Sequence, residues 1–249
     1  MLDLNGLRLE YEWIRGDDTV APAVLLHEGL GSVGMWRDFP SQLAQVTGRR
    51  VLAYSRQGYG GSSRLSKPRA VTYMHDEALE VLPAFLDALG VASPLLIGHS
   101  DGASIALIHA GGSGRSVSGV VAMAPHVMVE DVTVAGIEAT CRAYVSTDLR
   151  KRLARHHADV DGAFRGWGDI WLSPAFRSWN IEEYLPRIQC PVLAIQGEQD
   201  EYATMEQLGR IGRGAPRVEL LKLDDCRHSP HRDQPDAVLE AIADFSSRQ

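Results

Sequence analysis

The strongest constraint on the fold is a rhythm in which short apolar runs alternate with stretches of helical spacing. Residues 51–55, 94–98, 117–124, 191–197 and 218–223 are apolar runs without strict polar alternation, as expected of strands buried on both faces. Residues 36–45, 72–89, 103–110, 205–213 and 234–245 carry apolar side chains at helical spacing. Strand then helix, repeated, predicts an α/β chain with a mostly parallel, doubly wound sheet covered on both sides. Two further strand candidates, 7–13 and 21–27, flank Gly16-Asp17-Asp18 and read as a hairpin. The rhythm breaks between Met128 and Arg187, where helical patterns such as 147–157 and the Ser173-Pro174 start follow one another without a strand. The organisation predicted is a core of residues 1–127 and 188–249 with a helical insertion, 128–187, on top of the sheet.

A chain of 249 residues, 45% of them hydrophobic, can bury one large core. Its formal charge of −7 and lack of a dense basic run exclude a phosphate-backbone binder, so nucleic acid is not an expected partner. Cys141, Cys190 and Cys226 are an odd number without framework spacing, which suits a reducing compartment. The start, MLDLNGLRLEYEW, alternates like a strand and does not resemble a secretory leader. No run is long and apolar enough to span a bilayer. A soluble, cytoplasmic protein that does not engage membranes is expected; the oligomeric state is not legible.

The stretch LIGHSDGASIALIHA, residues 96–110, passes from buried strand to helix through Gly98-His99-Ser100-Asp101-Gly102. A hydroxyl between glycines at such a turn is either a plain turn residue or an exposed nucleophile. Context favours the second reading. In an open parallel sheet, ligands bind at the carboxyl ends of the strands. Three other strand ends carry polar groups: His27-Glu28-Gly29-Leu30-Gly31-Ser32, Gly197-Glu198-Gln199-Asp200 and Asp224-Asp225-Cys226-Arg227-His228. Nucleophile, acid and histidine then follow one another in chain order, each at its own strand end.

Over nearly its whole length the sequence resembles the serine hydrolases of the α/β-hydrolase fold that carry a helical cap, a group that includes carboxylesterases and carbon–carbon bond hydrolases. The matching stretches are LLHEGLGS, SRQGYGGS, GHSDG, GEQDEY and RHSPHRDQP. The resemblance implies Ser100 as nucleophile, Asp200 as acid and His228 as base. It also implies an oxyanion hole from the backbone N–H of Asp101 and one from the 27–30 turn, placed at Gly29. Glu28 after His27, Ser55 at a position where aspartate is common, and Arg227 before the histidine depart from the pattern.

Residue chemistry supports these roles. A serine hydroxyl attacks only when a base takes its proton, and an acid on the far side of the imidazole fixes the tautomer. Such a cycle needs no cofactor or metal. Glu198 and Glu201 compete with Asp200 for the histidine, and His231 competes with His228, although its place after Pro230 assigns it to a helix start. Asp101 lies one residue past the nucleophile position, so its side chain is expected to point elsewhere, and His27 is expected to support its loop.

The run His156-His157-Ala158-Asp159-Val160-Asp161 reads as a solvated face and not as a metal site. Gly58-Tyr59-Gly60-Gly61 matches no phosphate-binding loop and reads as a tight turn beside the pocket. Trp167 and Trp171 share one helical face that can roof an apolar group of a bound substrate. For Glu28, Arg56 is the expected cationic partner. The reaction expected is cleavage of a small or medium carboxylic ester, a small-molecule substrate, through an acyl-enzyme. The alternatives are a carbon–carbon hydrolase of vinylogous diketones and a ligand-binding receptor on the same fold.

Overall fold

The computed structural model describes residues Met1–Gln249. Nine strands form, β1 Leu2–Leu4, β2 Leu7–Leu9, β3 Tyr11–Ile14, β4 Ala23–Leu26, β5 Val51–Tyr54, β6 Leu95–His99, β7 Gly119–Met123, β8 Val192–Gly197 and β9 Val218–Leu223. Seven of them make one sheet in the order β3-β5-β4-β6-β7-β8-β9. Every pair is parallel except β3 with β5.

The β4 to β8 strands are buried along their whole length. Apolar side chains of opposite parity feed opposite faces: Val24, Leu26 and Leu96 one core, Leu25, Leu95 and Ile97 the other. Helices Phe39–Thr47 and Pro235–Ser247 cover the second core, and Asp101–Gly112 and Glu206–Gly214 belong to the first. No helix is long and apolar enough to cross a membrane.

Two strand expectations are corrected. Residues 7–13 do not pair with 21–27. The chain breaks at Glu10, and β3 instead lies antiparallel against β5 while β4 pairs in parallel with β5 and β6. The hairpin that does form joins β1 to β2 around Asn5 and Gly6, both at positive φ, the conformation that an Asn-Gly turn adopts easily. The β9 strand is not buried on both faces: it is the outer strand of the sheet, and Glu219, Leu220 and Lys222 are exposed.

Between β7 and β8 the chain is helical, with segments Asp131–Ser146, Leu149–Leu153, Val160–Trp171, Pro174–Ser178 and Glu182–Arg187. Ser173 caps its segment by accepting from the Phe176 N–H, with Pro174 at the first helical position. Trp167 and Trp171 of Val160–Trp171 stand with Ser100 at the carboxyl end of β6, whereas Glu182–Arg187 packs along the helix Asp101–Gly112, with Tyr184 against Gly111 and Gly112. The aromatic residues Phe164, Trp167, Trp171, Phe176 and Trp179 join the first core.

Candidate active site

The central strand β6 ends at His99, and the chain enters the helix Asp101–Gly112 through Ser100 at φ 53°, ψ −119°. A serine in that region costs about 1–3 kcal/mol, and its hydroxyl is not spent on capping the helix. The flanking glycines answer to space. A Cβ on Gly98 would sit 2.2 Å from the Gly102 carbonyl oxygen, and one on Gly102 would sit 1.9 Å from the Leu26 carbonyl oxygen. Strand and helix therefore meet backbone to backbone, and the turn between them holds the Ser100 side chain at the strand end.

Ser100 Oγ lies 3.0 Å from His228 Nε2, and His228 Nδ1 lies 2.7 Å from Asp200 Oδ1. A carboxylate only accepts, so Nδ1 carries the proton and Nε2 offers its lone pair to the serine hydroxyl. Asp200 Oδ1 also accepts from the Tyr202 N–H, at 2.9 Å. Burial pushes the Asp200 carboxyl up, but the His228 hydrogen bond and charge outweigh it and hold the group below the usual carboxylate range. The competing acids lie elsewhere. Glu201 Oε2 accepts from the His228 backbone N–H at 3.2 Å while Oε1 faces Arg227, and Glu198 is exposed. His231 is buried among Trp36, Phe39 and His99, away from the serine hydroxyl. A hydroxyl, an imidazole and a buried carboxylate in this order can move a proton off the serine as it attacks.

The loop after β4 is braced from within. His27 donates from Nδ1 to the Glu28 carbonyl at 2.7 Å and accepts at Nε2 from the Arg56 N–H at 3.0 Å, so it supports its loop as expected. Arg56 is buried, but its Nη2 donates to the carbonyl oxygens of His27 and Glu28, not to the Glu28 carboxylate. The expected pairing is thereby corrected, because a main-chain turn reaches the guanidinium first. The carboxylate faces His99 Nδ1 at 3.6 Å and Arg232 at 3.8 Å. Burial would raise Glu28, yet His99, Arg232 and His27 together hold it well below the usual carboxylate range.

The Gly29 N–H has no backbone acceptor, and the Asp101 N–H opens its helix, where no intrahelical acceptor exists. The Asp101 side chain points away from the serine, as expected: it accepts from Tyr73 Oη at 2.7 Å and Trp171 Nε1 at 3.3 Å, with Arg56 at 3.7 Å.

A cavity of about 250 Å³ opens on these groups, walled by Gly29, Ser100, His126, Ile137, Trp167, Trp171 and Tyr202 among others. Both tryptophans singled out in the sequence line it. A larger groove of about 820 Å³, beside Arg115, Arg187, Arg217 and Arg248, contains none of them.

The run 156–161 is not a solvated helix face. His157 lies between helical segments and is buried, accepting at Nδ1 from the Gly60 N–H and donating from Nε2 to the Leu30 carbonyl, which ties these segments to the Gly60 turn and to the cavity loop at Leu30. Glu10 and His126 escaped the sequence reading. Glu10 accepts from Ser55 Oγ and the Gly61 N–H, bringing a carboxylate to the loop at the departing Ser55 position. The signal for His126 was present in Ala124-Pro125-His126, a polar residue just past the end of β7.

Burial pushes His27, His126 and His231 below the ordinary histidine value, His126 to about 3. The unfolded chain then binds protons near pH 6.5 that the folded chain refuses. Stability contributed by these groups is complete above that pH and falls as the pH drops, by up to about 1.4 kcal/mol per pH unit for each histidine. Denaturant unfolding at pH 8, 6.5 and 5 should show the unfolding free energy declining below pH 6.5. A flat profile would contradict it.

Residues 23–241 match the model of the alpha/beta hydrolase family. The chain belongs to that family. Among curated relatives, this alpha/beta hydrolase is 23% identical to an sn-1-specific diacylglycerol lipase of Mus musculus, over 98% of this chain and 86% of that protein. It is 26% identical to a putative carbamate hydrolase of Agrobacterium fabrum, over 92% and 94% of the two chains. Among solved structures, an esterase from Exiguobacterium antarcticum superposes with a TM-score of 0.78 at 19% identity, covering 98% of this chain and 97% of that one. The enol-lactonase from Burkholderia xenovorans gives 0.76 at 22% identity, with 98% of each chain covered. These likenesses establish the α/β-hydrolase fold.

Proposed function

We propose that this hydrolase cleaves small or medium carboxylic esters through an acyl-enzyme on Ser100. The observation that carries the reading is the unbroken hydrogen-bonded chain from Ser100 through His228 to the buried Asp200, at the wall of a cavity. In this cycle His228 takes the serine proton during attack on the ester carbonyl and returns it to the departing alcohol. Asp200 stabilises the imidazolium that forms in between. The N–H groups of Asp101 and Gly29 receive the negative charge on the carbonyl oxygen, each such donor contributing about 3–4 kcal/mol to the barrier reduction. Water, activated by the same histidine, then releases the acid.

The cavity of about 250 Å³ falls below the range usual for drug-sized ligands, which supports a small acyl or alcohol group. Relatives named as a lipase and as a putative carbamate hydrolase fit attack on an acyl carbonyl.

Residues 128–187 act in this reading as a cap whose Trp167 and Trp171 shape the substrate. Trp167→Ala should alter the preference among acyl chain lengths by about 10-fold while changing turnover of the smallest ester less. Trp171→Ala should in addition lower the melting temperature, since its indole is buried and bonded to Asp101. Equal losses on every ester for Trp167→Ala would remove the cap from the specificity argument. The reading as a whole is tested by a panel of esters, lactones and vinylogous diketones with wild type and Ser100→Ala. Turnover of diketones alone would replace esterase by carbon–carbon hydrolase activity, and binding without turnover would favour a receptor.

A further inference from the structure

His126 stands at the cavity wall with its backbone locked and its ring unused. Ser104 Oγ donates to its carbonyl oxygen at 2.6 Å and accepts from its N–H at 3.3 Å. The ring lies edge-on to Trp171, centroids 5.2 Å apart, and 5.6 Å from the His228 ring. The residue is only 2% exposed; Nδ1 is closed off without a partner, and Nε2, which makes no hydrogen bond, is the ring nitrogen left open. Three neighbouring polar groups of the wall are engaged: Thr133 Oγ1 donates to the Tyr202 carbonyl, Tyr202 Oη meets Thr140, and Trp171 Nε1 donates to Asp101. A buried polar group without a partner is unfavourable, and a leucine or phenylalanine would fill the same wall without that penalty. An imidazole kept there fits a role for the open Nε2 toward a partner that arrives with the substrate.

Its chemistry narrows that partner. Burial, with His228 beside it, keeps the ring neutral, so it offers one N–H and one lone pair. No lysine or arginine lines the cavity, whereas Glu28 and Glu201 do, so an anionic substrate group would be repelled. A hydroxyl, both donor and acceptor, suits a neutral imidazole in either tautomer.

We propose that His126 is a specificity determinant that hydrogen-bonds an uncharged hydroxyl of the substrate near the scissile carbonyl, so that the preferred esters are hydroxy esters. The inference rests on the esterase reading above. The test uses isosteric pairs in which hydroxyl replaces methyl: 3-hydroxybutanoate against 3-methylbutanoate esters for the acyl side, and 2-hydroxypropyl against 2-methylpropyl esters for the alcohol side. Wild type should favour the hydroxy member of at least one pair in kcat/KM. His126→Phe should lower that hydroxy-to-methyl ratio by about 5- to 10-fold, the range of one neutral hydrogen bond, and His126→Gln should restore part of it. No preference in any pair for wild type, or a ratio unmoved by His126→Phe, would overturn the proposal and leave His126 a packing residue. Absence of all ester turnover would instead remove the esterase reading. Calorimetric binding of the same pairs to Ser100→Ala, with and without His126→Phe, then still decides the role of His126.

Discussion

Ser100→Ala should abolish covalent labelling by a fluorophosphonate and lower turnover by on the order of 10⁶-fold, with the melting temperature nearly unchanged. The hydroxyl contributes little to the fold: it caps no helix, and its side-chain hydrogen bond is the 3.0 Å contact with His228. Gly98 and Gly102, whose lack of a Cβ permits the close approach of strand and helix, remain in place. Residual turnover through the backbone donors is expected, so labelling is the sharper measurement. Labelled protein in the alanine variant would move the nucleophile elsewhere.

Substitutions around the histidine should separate chemistry from packing. His228→Ala should cost several orders of magnitude in kcat, because nothing else reaches Ser100 Oγ as a base. Asp200→Asn should cost about 10⁴-fold by favouring the wrong tautomer. Glu201→Gln keeps an acceptor for the His228 N–H and should lose far less, and Glu198→Gln should be neutral. His231→Ala should act on stability, since its ring fills space between Trp36, Phe39 and His99. Steady-state kinetics and thermal melts on the five variants check this ranking. A Glu201→Gln loss as large as that of Asp200→Asn would displace Asp200 from the role proposed for it.

Local pattern alone determined the strands β5 to β8, the helices between them and the turn at Ser100. Each depends on periodicity and on steric demands within a few residues, and both are written in consecutive positions. Chain order at the strand ends also told which segments would meet, because parallel strands bring their carboxyl ends to one edge. Only the tertiary structure decided which of Asp200, Glu198 and Glu201 faces the imidazole, since three acids in four residues differ by loop conformation and not by type. It also decided that β3 pairs with β5, that Arg56 holds main-chain carbonyls rather than the Glu28 carboxylate, and that His157 is buried against the Leu30 loop. The burial of His126 beside Trp171 belongs with these. Such contacts join segments tens of residues apart, and their distances are set by how whole elements pack, a quantity that no local pattern carries.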